Sequence, residues 1–491
     1  MKKTTVTILI LICTLFCSTN VIFAKSKKAK IDEVMKIYGK RGQFSGAVLV
    51  AEKGKVIYKN AFGFANRDWE IPNSVDTKFR LASISKQFTS MLIFQLVQEG
   101  KLNLNDKISD HLKDYRKDTG EKVTLYHLLT NTSGIPSYND DRKWVRDFSR
   151  DNFKVKDFIQ KFCSDSLHFE PGSKFEYSNS GFYILGEIIQ KVTEKSYEQN
   201  LKERIFEPLG MKNTGLEKNK EITSKLATGY DKTFTDIKKA NYIDLTTHFS
   251  ASAIYSTVED LLLWDKALYS EKLLSKEPKA KMFEPFLDDY ACAWEAKYFK
   301  FANQDSLFVV SHDGGIEGFN ARIVRFVEDE KLIVILRNSR GARMGEITQT
   351  LASILYDQNY DLPKRSLAEE LALKIEKDGI KKALKFYTSL SSKSKKDFRI
   401  LELELNRLGY FYFFKGLDDE AIEVFKINIA EFPNSVNVYD SLAEVYLAIG
   451  EVELAKKNYR KVLENLPKDK NVPENFRKIL KENAEKVLNQ N

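Results

Sequence analysis

A chain of 491 residues exceeds what one ordinary hydrophobic core organises, so two or three domains are expected. With 43% hydrophobic, 30% charged and 12% aromatic residues it falls outside the disordered and membrane-spanning classes. The net charge of +9 comes from 78 Lys and Arg against 69 Asp and Glu spread along the whole length, the pattern of a Lys-rich solvated surface, and does not point to nucleic acid.

Met1-Lys2-Lys3 leads into an apolar run from Val6 to Phe16, then Ser18-Thr19-Asn20, then Val21 to Ala24 before a Lys-rich stretch. That is the layout of a secretory signal peptide over residues 1–24, with Ala24 as the cleavage residue. Ile22 fits poorly where a small residue is preferred, and Val6 to Phe23 approaches the roughly 18 to 20 residues that cross a bilayer, so an uncleaved anchor is the alternative. The polar Ser18-Thr19-Asn20 interrupts that span and favours cleavage, and the mild positive charge could favour an anionic surface such as a bacterial envelope. Bulky Leu15 and Phe16 argue against lipidation at Cys17. Cleavage would leave Cys163 and Cys292, either paired in an oxidising compartment or kept as two buried thiols.

Ile31 to Lys40 reads as a helix, and Gly46 to Ala51 and Lys55 to Phe64 read as two strands joined by a turn at Lys53-Gly54. Ser83 to Leu96 carries apolar residues at the spacing of a buried helix that starts at Ser83. From Leu102 to about Tyr269 the pattern is mostly helical, with a run at Ile184 to Val192, and from Ala291 to Arg337 it returns to strands such as Leu307 to Val310 and Leu332 to Leu336. Strands from both ends would form one sheet, with an all-helical block inserted between and a cleft where the lobes meet.

Beyond Pro363 the strands are expected to stop. A charged helical segment, Leu367 to Leu390, runs into the exposed connector Ser391 to Lys396. Next, Leu408, Tyr412, Gly416, Ala421, Phe425 and Pro433 recur as Leu442, Tyr446, Gly450, Ala455, Tyr459 and Pro467, each offset by about 34 residues, the tetratricopeptide period. The segment around Gly379 and Ala383 does not match this spacing, although it could be a degenerate earlier unit. Two units bury their faces only by stacking, so they are expected to lean on the preceding helices or on the first domain, as a prop or as a groove for a protein partner. The division is 1–24, 30–360, a helical connector 361–400 and repeats 401–491.

Three constellations carry chemistry. In Leu81-Ala82-Ser83-Ile84-Ser85-Lys86, Ser83 and Lys86 lie one helical turn apart on the same face, so an amine of lowered pKa could take the serine proton, and the helix start favours negative charge there. In Glu170-Pro171-Gly172-Ser173-Lys174-Phe175-Glu176-Tyr177-Ser178-Asn179, a Pro-Gly turn presents Tyr177, suited to hold or shuttle that proton, and Asn179, suited to a substrate amide. Val309 to Phe319 reads as a strand ending in glycines, Ser311-His312-Asp313-Gly314-Gly315, where the Gly315 N–H could join that of Ser83 in an oxyanion hole.

In this order the three motifs resemble the serine β-lactamase and penicillin-binding peptidase superfamily. The nearest branch holds class C β-lactamases, D-stereospecific aminopeptidases, D-alanyl-D-alanine carboxypeptidases and related esterases. The resemblance spans Phe44 to Leu355 and is supported by Asp76 to Arg80, His127 to Pro136, Ile205 to Met211 and Ser256 to Leu261. It implies an α+β fold, an antiparallel sheet flanked by helices with an inserted helical lobe, and an acyl-serine enzyme. Ser83 would be the nucleophile, Lys86 and Tyr177 the proton-transfer pair, and Asn179, His312 and Gly314 substrate-binding residues, with Ser83 and Gly315 as the oxyanion hole. Class A enzymes carry Ser-Asp-Asn and Lys-Thr-Gly where this chain has Tyr-Ser-Asn and His-Asp-Gly. A histidine is mostly neutral at pH 7, unlike the lysine that suits a penicillin carboxylate, which turns the expectation from β-lactams toward esters and D-amino-acid amides. A protein that captures cell-wall fragments or β-lactams without turnover is the alternative. The five histidines are scattered without metal-ligand spacing, and no phosphate loop or dinucleotide fingerprint is present, so no cofactor is expected.

Overall fold

The computed structural model of the chain describes residues 25–301, 303–340 and 343–489, so the signal-like segment lies outside the described residues. Two strands near the N-terminus, β1 (Gly46–Glu52) and β2 (Lys55–Phe62), join four later ones, β3 (Glu295–Lys300), β4 (Ser306–Ile316), β5 (Phe319–Phe326) and β6 (Lys331–Arg337). They form a six-stranded antiparallel sheet in the order β3-β4-β5-β6-β1-β2. Its centre is the pairing of β1 with β6, where Val48 faces Ile335 and Val50 faces Ile333. Between their ends both strands are apolar, Ala47 to Ala51 and Leu332 to Leu336, because both faces of the sheet are covered. Ala47, Leu49, Ala51, Val334 and Leu336 join the core shared with the helical block. Val48, Val50, Ile333 and Ile335 join a second core under two helices.

Four helices matter to the site: α1 (Lys27–Lys40), α2 (Ser85–Gln98), α3 (Asn179–Thr193) and α4 (Met344–Leu355). α1 and α4 cover the outer face through Ile31, Val34 and Met35 and through Ile347, Leu351 and Leu355. On the other face every residue of α2 from Ser85 to Leu96 is buried, which makes it the axis of the helical block. That block is less purely helical than its periodicity suggests. Ile254–Ser256 pairs with Phe79–Arg80 and with Gly215–Leu216, and Tyr230–Lys232 pairs with Ile237–Lys239. Such short strands depend on partners far away in the chain, and local periodicity carries no trace of them.

Past Leu355 the architecture is helical, with one exception to the expected end of strands at Pro363: Arg365–Ser366 pairs in parallel with Phe398–Arg399. The expected single segment 367–390 is two helices, α5 (Leu367–Asp378) and α6 (Ile380–Ser389), hinged at Gly379. Then follow α7 (Glu402–Phe413), α8 (Asp418–Glu431), α9 (Val436–Ala448), α10 (Val452–Asn465) and α11 (Glu474–Leu488). Leu408, Tyr412, Ala421 and Phe425 and their counterparts Leu442, Tyr446, Ala455 and Tyr459 are all buried in one core that runs from Leu367 to Val487. This core leans on the first domain: Phe234 stacks edge-on against Phe411 at 5.8 Å, and Arg399 reaches Glu346 at 3.4 Å.

Cys163 and Cys292 are free, buried thiols. Their backbone carbonyls are put to use instead, accepting from Tyr115 Oη at 2.7 Å and from Ser90 Oγ at 3.0 Å. Among the described residues no helix is long and apolar enough to cross a membrane.

Candidate active site

Ser83 lies in a short 3-10 turn, Ala82–Ile84, that feeds α2, so the helix proper begins two residues later than expected. Ala82 holds φ at +50°, a left-handed backbone rare outside glycine, which marks a constrained entry to the serine. One turn further, the Lys86 side chain is fully buried. Its Nζ donates to Asn179 Oδ1 at 2.7 Å, to the Ala251 carbonyl at 3.0 Å and to Ser83 Oγ at 3.1 Å. Burial pushes the ammonium pKa well below its ordinary value, and no carboxylate among the described residues pairs with it to oppose that push. Two of the three partners can only accept. Once Lys86 is neutral, its two N–H bonds go to Asn179 and Ala251, and its lone pair is left facing the Ser83 hydroxyl, which can donate.

Tyr177 lies across Lys86, with Nζ 5.0 Å from the ring centroid. Its hydroxyl is buried and has no partner in hydrogen-bonding geometry among the described residues. Burial raises the phenol pKa, and the nearby Ser83 hydroxyl pulls it back in part, so the phenol keeps its proton at neutral pH. The loop is held on both sides of Tyr177 by one residue. The Asn131 carbonyl accepts from Glu176 N at 2.9 Å, and Asn131 Oδ1 accepts from Ser178 N at 3.0 Å. Asn179 is the first residue of α3, five residues ahead of the expected helix, and its side chain is occupied: Oδ1 takes the Lys86 proton and Nδ2 donates to Asn139 Oδ1 at 2.8 Å.

The third motif lies wholly within β4, which continues through both glycines to Ile316 rather than ending at them. A Cβ on Gly314 would stand 2.1 Å from the Leu81 carbonyl, so the missing side chain lets β4 pack directly on the turn that holds Ser83. A Cβ on Gly315 would meet only Asn320 Nδ2, at 3.5 Å. His312 is buried, its Nδ1–H donates to the Asp313 carbonyl at 2.6 Å, and its Nε2 accepts from Tyr290 Oη at 3.0 Å. Burial, reinforced by Lys86, lowers its pKa to about 4, so this wall is uncharged at neutral pH.

The structure thus gathers Ser83, Lys86, Tyr177, Asn179, His312 and Gly314 where β4 meets the starts of α2 and α3, with Gly315 the next residue along β4. Sequence reasoning missed Ala251, Asn139, Tyr290 and the positioning role of Asn131. Asn131 sits in the stretch His127 to Pro136 that supported the resemblance, whereas Tyr290 carries no motif at all.

An antiparallel sheet with an inserted helical lobe, and a buried lysine behind a helix-opening serine, are the marks of β-lactamase-fold serine hydrolases. Residues 28–355, well over half of the chain, match the beta-lactamase family, and the chain belongs to it. Penicillin-binding protein 4* of Bacillus subtilis is 29% identical over 367 residues, which cover 70% of this chain and 79% of that protein. Protein Flp of Staphylococcus aureus (strain MW2) is 31% identical over 335 residues, 66% of this chain and 65% of that one. Among solved structures, a penicillin-binding protein from Bacillus halodurans matches with a TM-score of 0.57 at 26% identity, over 66% of this chain and 98% of its own. A D-amino acid amidase from Ochrobactrum anthropi matches with a TM-score of 0.59 at 20% identity, over 68% and 99%, a likeness of fold.

Proposed function

We propose that the protein hydrolyses an ester or a D-amino-acid-containing amide through an acyl-Ser83 intermediate. The observation that carries this reading is the buried Lys86 amine, 3.1 Å from Ser83 Oγ with both of its other partners obligate acceptors. Neutral Lys86 takes the hydroxyl proton as Ser83 Oγ bonds to the acyl carbon, and the Ser83 and Gly315 N–H groups receive the developing oxyanion. Tyr177 passes a proton to the departing alkoxide or amine as the scissile bond breaks. Water then attacks the acyl carbon and gives a proton to the Tyr177 phenolate, and Lys86 returns its proton to Ser83 Oγ as the acyl–Oγ bond breaks and the acid leaves. Asn179 holds the amine in place through Oδ1, and its Nδ2 would exchange Asn139 for a substrate amide. Neutral His312 supports the ester and amide reading over β-lactams, because the wall beside Gly314 offers a penicillin carboxylate no fixed positive charge.

In this reading residues 1–24 direct the chain out of the cell or to its envelope, 30–360 form the hydrolase and 361–400 connect it to tetratricopeptide units in 401–491. The burial of all four repeated apolar pairs supports those units, and a protein partner is the proposed use of their free face.

The test is intact-mass spectrometry of wild type and Ser83→Ala with a fluorophosphonate, a penicillin and a small ester. A serine-dependent adduct with ester turnover is expected. An adduct with penicillin that never clears, without ester turnover, would replace the enzyme by a binding protein.

A further inference from the structure

A cavity of about 150 Å³ lies where the first domain meets the C-terminal helices. Its wall carries Lys232, Arg337, Arg343 and Arg407 against Glu369 and Glu404. Glu404 is already spent, ion-paired with Arg399 and accepting from Ser366 Oγ at 2.8 Å. Glu369 alone is shared by Lys232 at 3.3 Å and Arg343 at 3.4 Å, both at the long end of an ion pair. Arg343 is only 8% exposed, and its Nη1 has no acceptor among the described residues. Arg407, on α7, makes no ion pair with any described carboxylate. A buried guanidinium with a free N–H and a shared counter-ion is costly unless something completes it. The crowding is felt at Arg337, whose pKa burial and Arg343 lower to about 10.

We infer that this interdomain cavity binds a small tetrahedral oxyanion of the phosphate or sulfate class, held by Arg343 and Lys232 from the first domain and Arg407 from α7. The guanidinium edges offer paired N–H donors that match such an ion, and the volume is ample for one ion together with its remaining water. Binding there adds a charged tie between the helices and the hydrolase beside the ion pairs of Glu369 and of Arg399 with Glu346. The inference stands apart from the reaction at Ser83.

Isothermal titration of inorganic phosphate into the full chain tests it, with sulfate as competitor and potassium chloride at matched ionic strength as control. One saturable site is expected that sulfate displaces and chloride does not. Arg343→Gln is expected to weaken it by about tenfold or more, the loss of a charge-assisted hydrogen bond. Arg407→Ser, an exposed change that leaves folding intact, is expected to weaken it by a smaller factor, while Ser83→Ala binds as wild type does. Heat that chloride reproduces, or phosphate affinity unchanged in both arginine variants, overturns the inference.

Discussion

Gly314→Ala and Gly315→Ala are one methyl group each, one residue apart in the same strand, and the structure expects opposite outcomes. At Gly314 the new Cβ would lie 2.1 Å from the Leu81 carbonyl oxygen and 3.2 Å from the Ala82 Cβ. Carbon–oxygen contacts settle near ~3.3 Å, so β4 and the turn must part by about 1 Å. Neither side is free to move, since β4 is paired at Gly314 with Ala321 of β5 and Leu81 N is bonded to the Ile254 carbonyl at 2.8 Å. Overpacking of this kind costs about 1–3 kcal/mol, and a displacement of about 1 Å at a reacting centre costs about 100-fold in rate. At Gly315 the nearest atom is 3.5 Å away, ordinary contact, so stability should hold within about 0.5 kcal/mol. Urea unfolding and the rate of fluorophosphonate labelling read the two effects separately. If Gly314→Ala unfolds and labels as wild type does, the close approach of β4 to Ser83 is not what aligns this site.

Labelling of Ser83 should rise with pH through the lowered pKa of Lys86, because the amine accepts a proton only when neutral, and level off well below pH 10.5; a limb rising only near that value would remove Lys86 as base. Lys86→Met should slow labelling by about 10²–10⁴ with the fold retained. Tyr290→Phe strips His312 Nε2 of its donor and should cost about 1–2 kcal/mol in urea unfolding, with KM raised more than kcat is lowered. His248 and His312 both have pKa values lowered from 6.5 to about 4 by burial, so the unfolded chain binds the extra protons between these values. Stability is therefore complete above about pH 6.5 and falls as pH drops toward 4, by about 3 kcal/mol for each histidine at the limit. Acid unfolding midpoints of His248→Gln and His312→Gln that match wild type would refute this.

Where chemistry is packed into short motifs, it could be read directly. Ser83 and Lys86 are three residues apart, so helix geometry alone puts them together, and the uninterrupted apolar runs of β1 and β6 announce a sheet buried on both faces. Three kinds of feature escaped. Ala251 contributes a backbone carbonyl, which has no residue signature. Tyr290 reaches His312 across a bend between Phe283 and Glu295 that no periodicity describes. Asn131 works through a carbonyl and a side-chain oxygen at once, from a left-handed backbone at φ +55°, and only the folded loop shows why an asparagine stands there. The two-residue strand at Arg365 was missed for the same reason as those in the helical block: its pairing partner, Phe398, is fixed by the packing of α5 and α6, not by its own sequence.

The two lone thiols have a practical reach beyond packing. Cys163 and Cys292 sit in apolar surroundings that hold both sulfurs protonated, and thiolate is the form that oxidants, alkylating agents and mixed-disulfide partners attack. Among the described residues the fold draws no strength from a covalent cross-link, so these residues reach the same covalent state whether they mature in a glutathione-rich cell interior or in oxygenated medium. Material made in a reducing expression host and material made in an oxidising one should therefore be interchangeable, and reductant in the buffer should leave activity untouched.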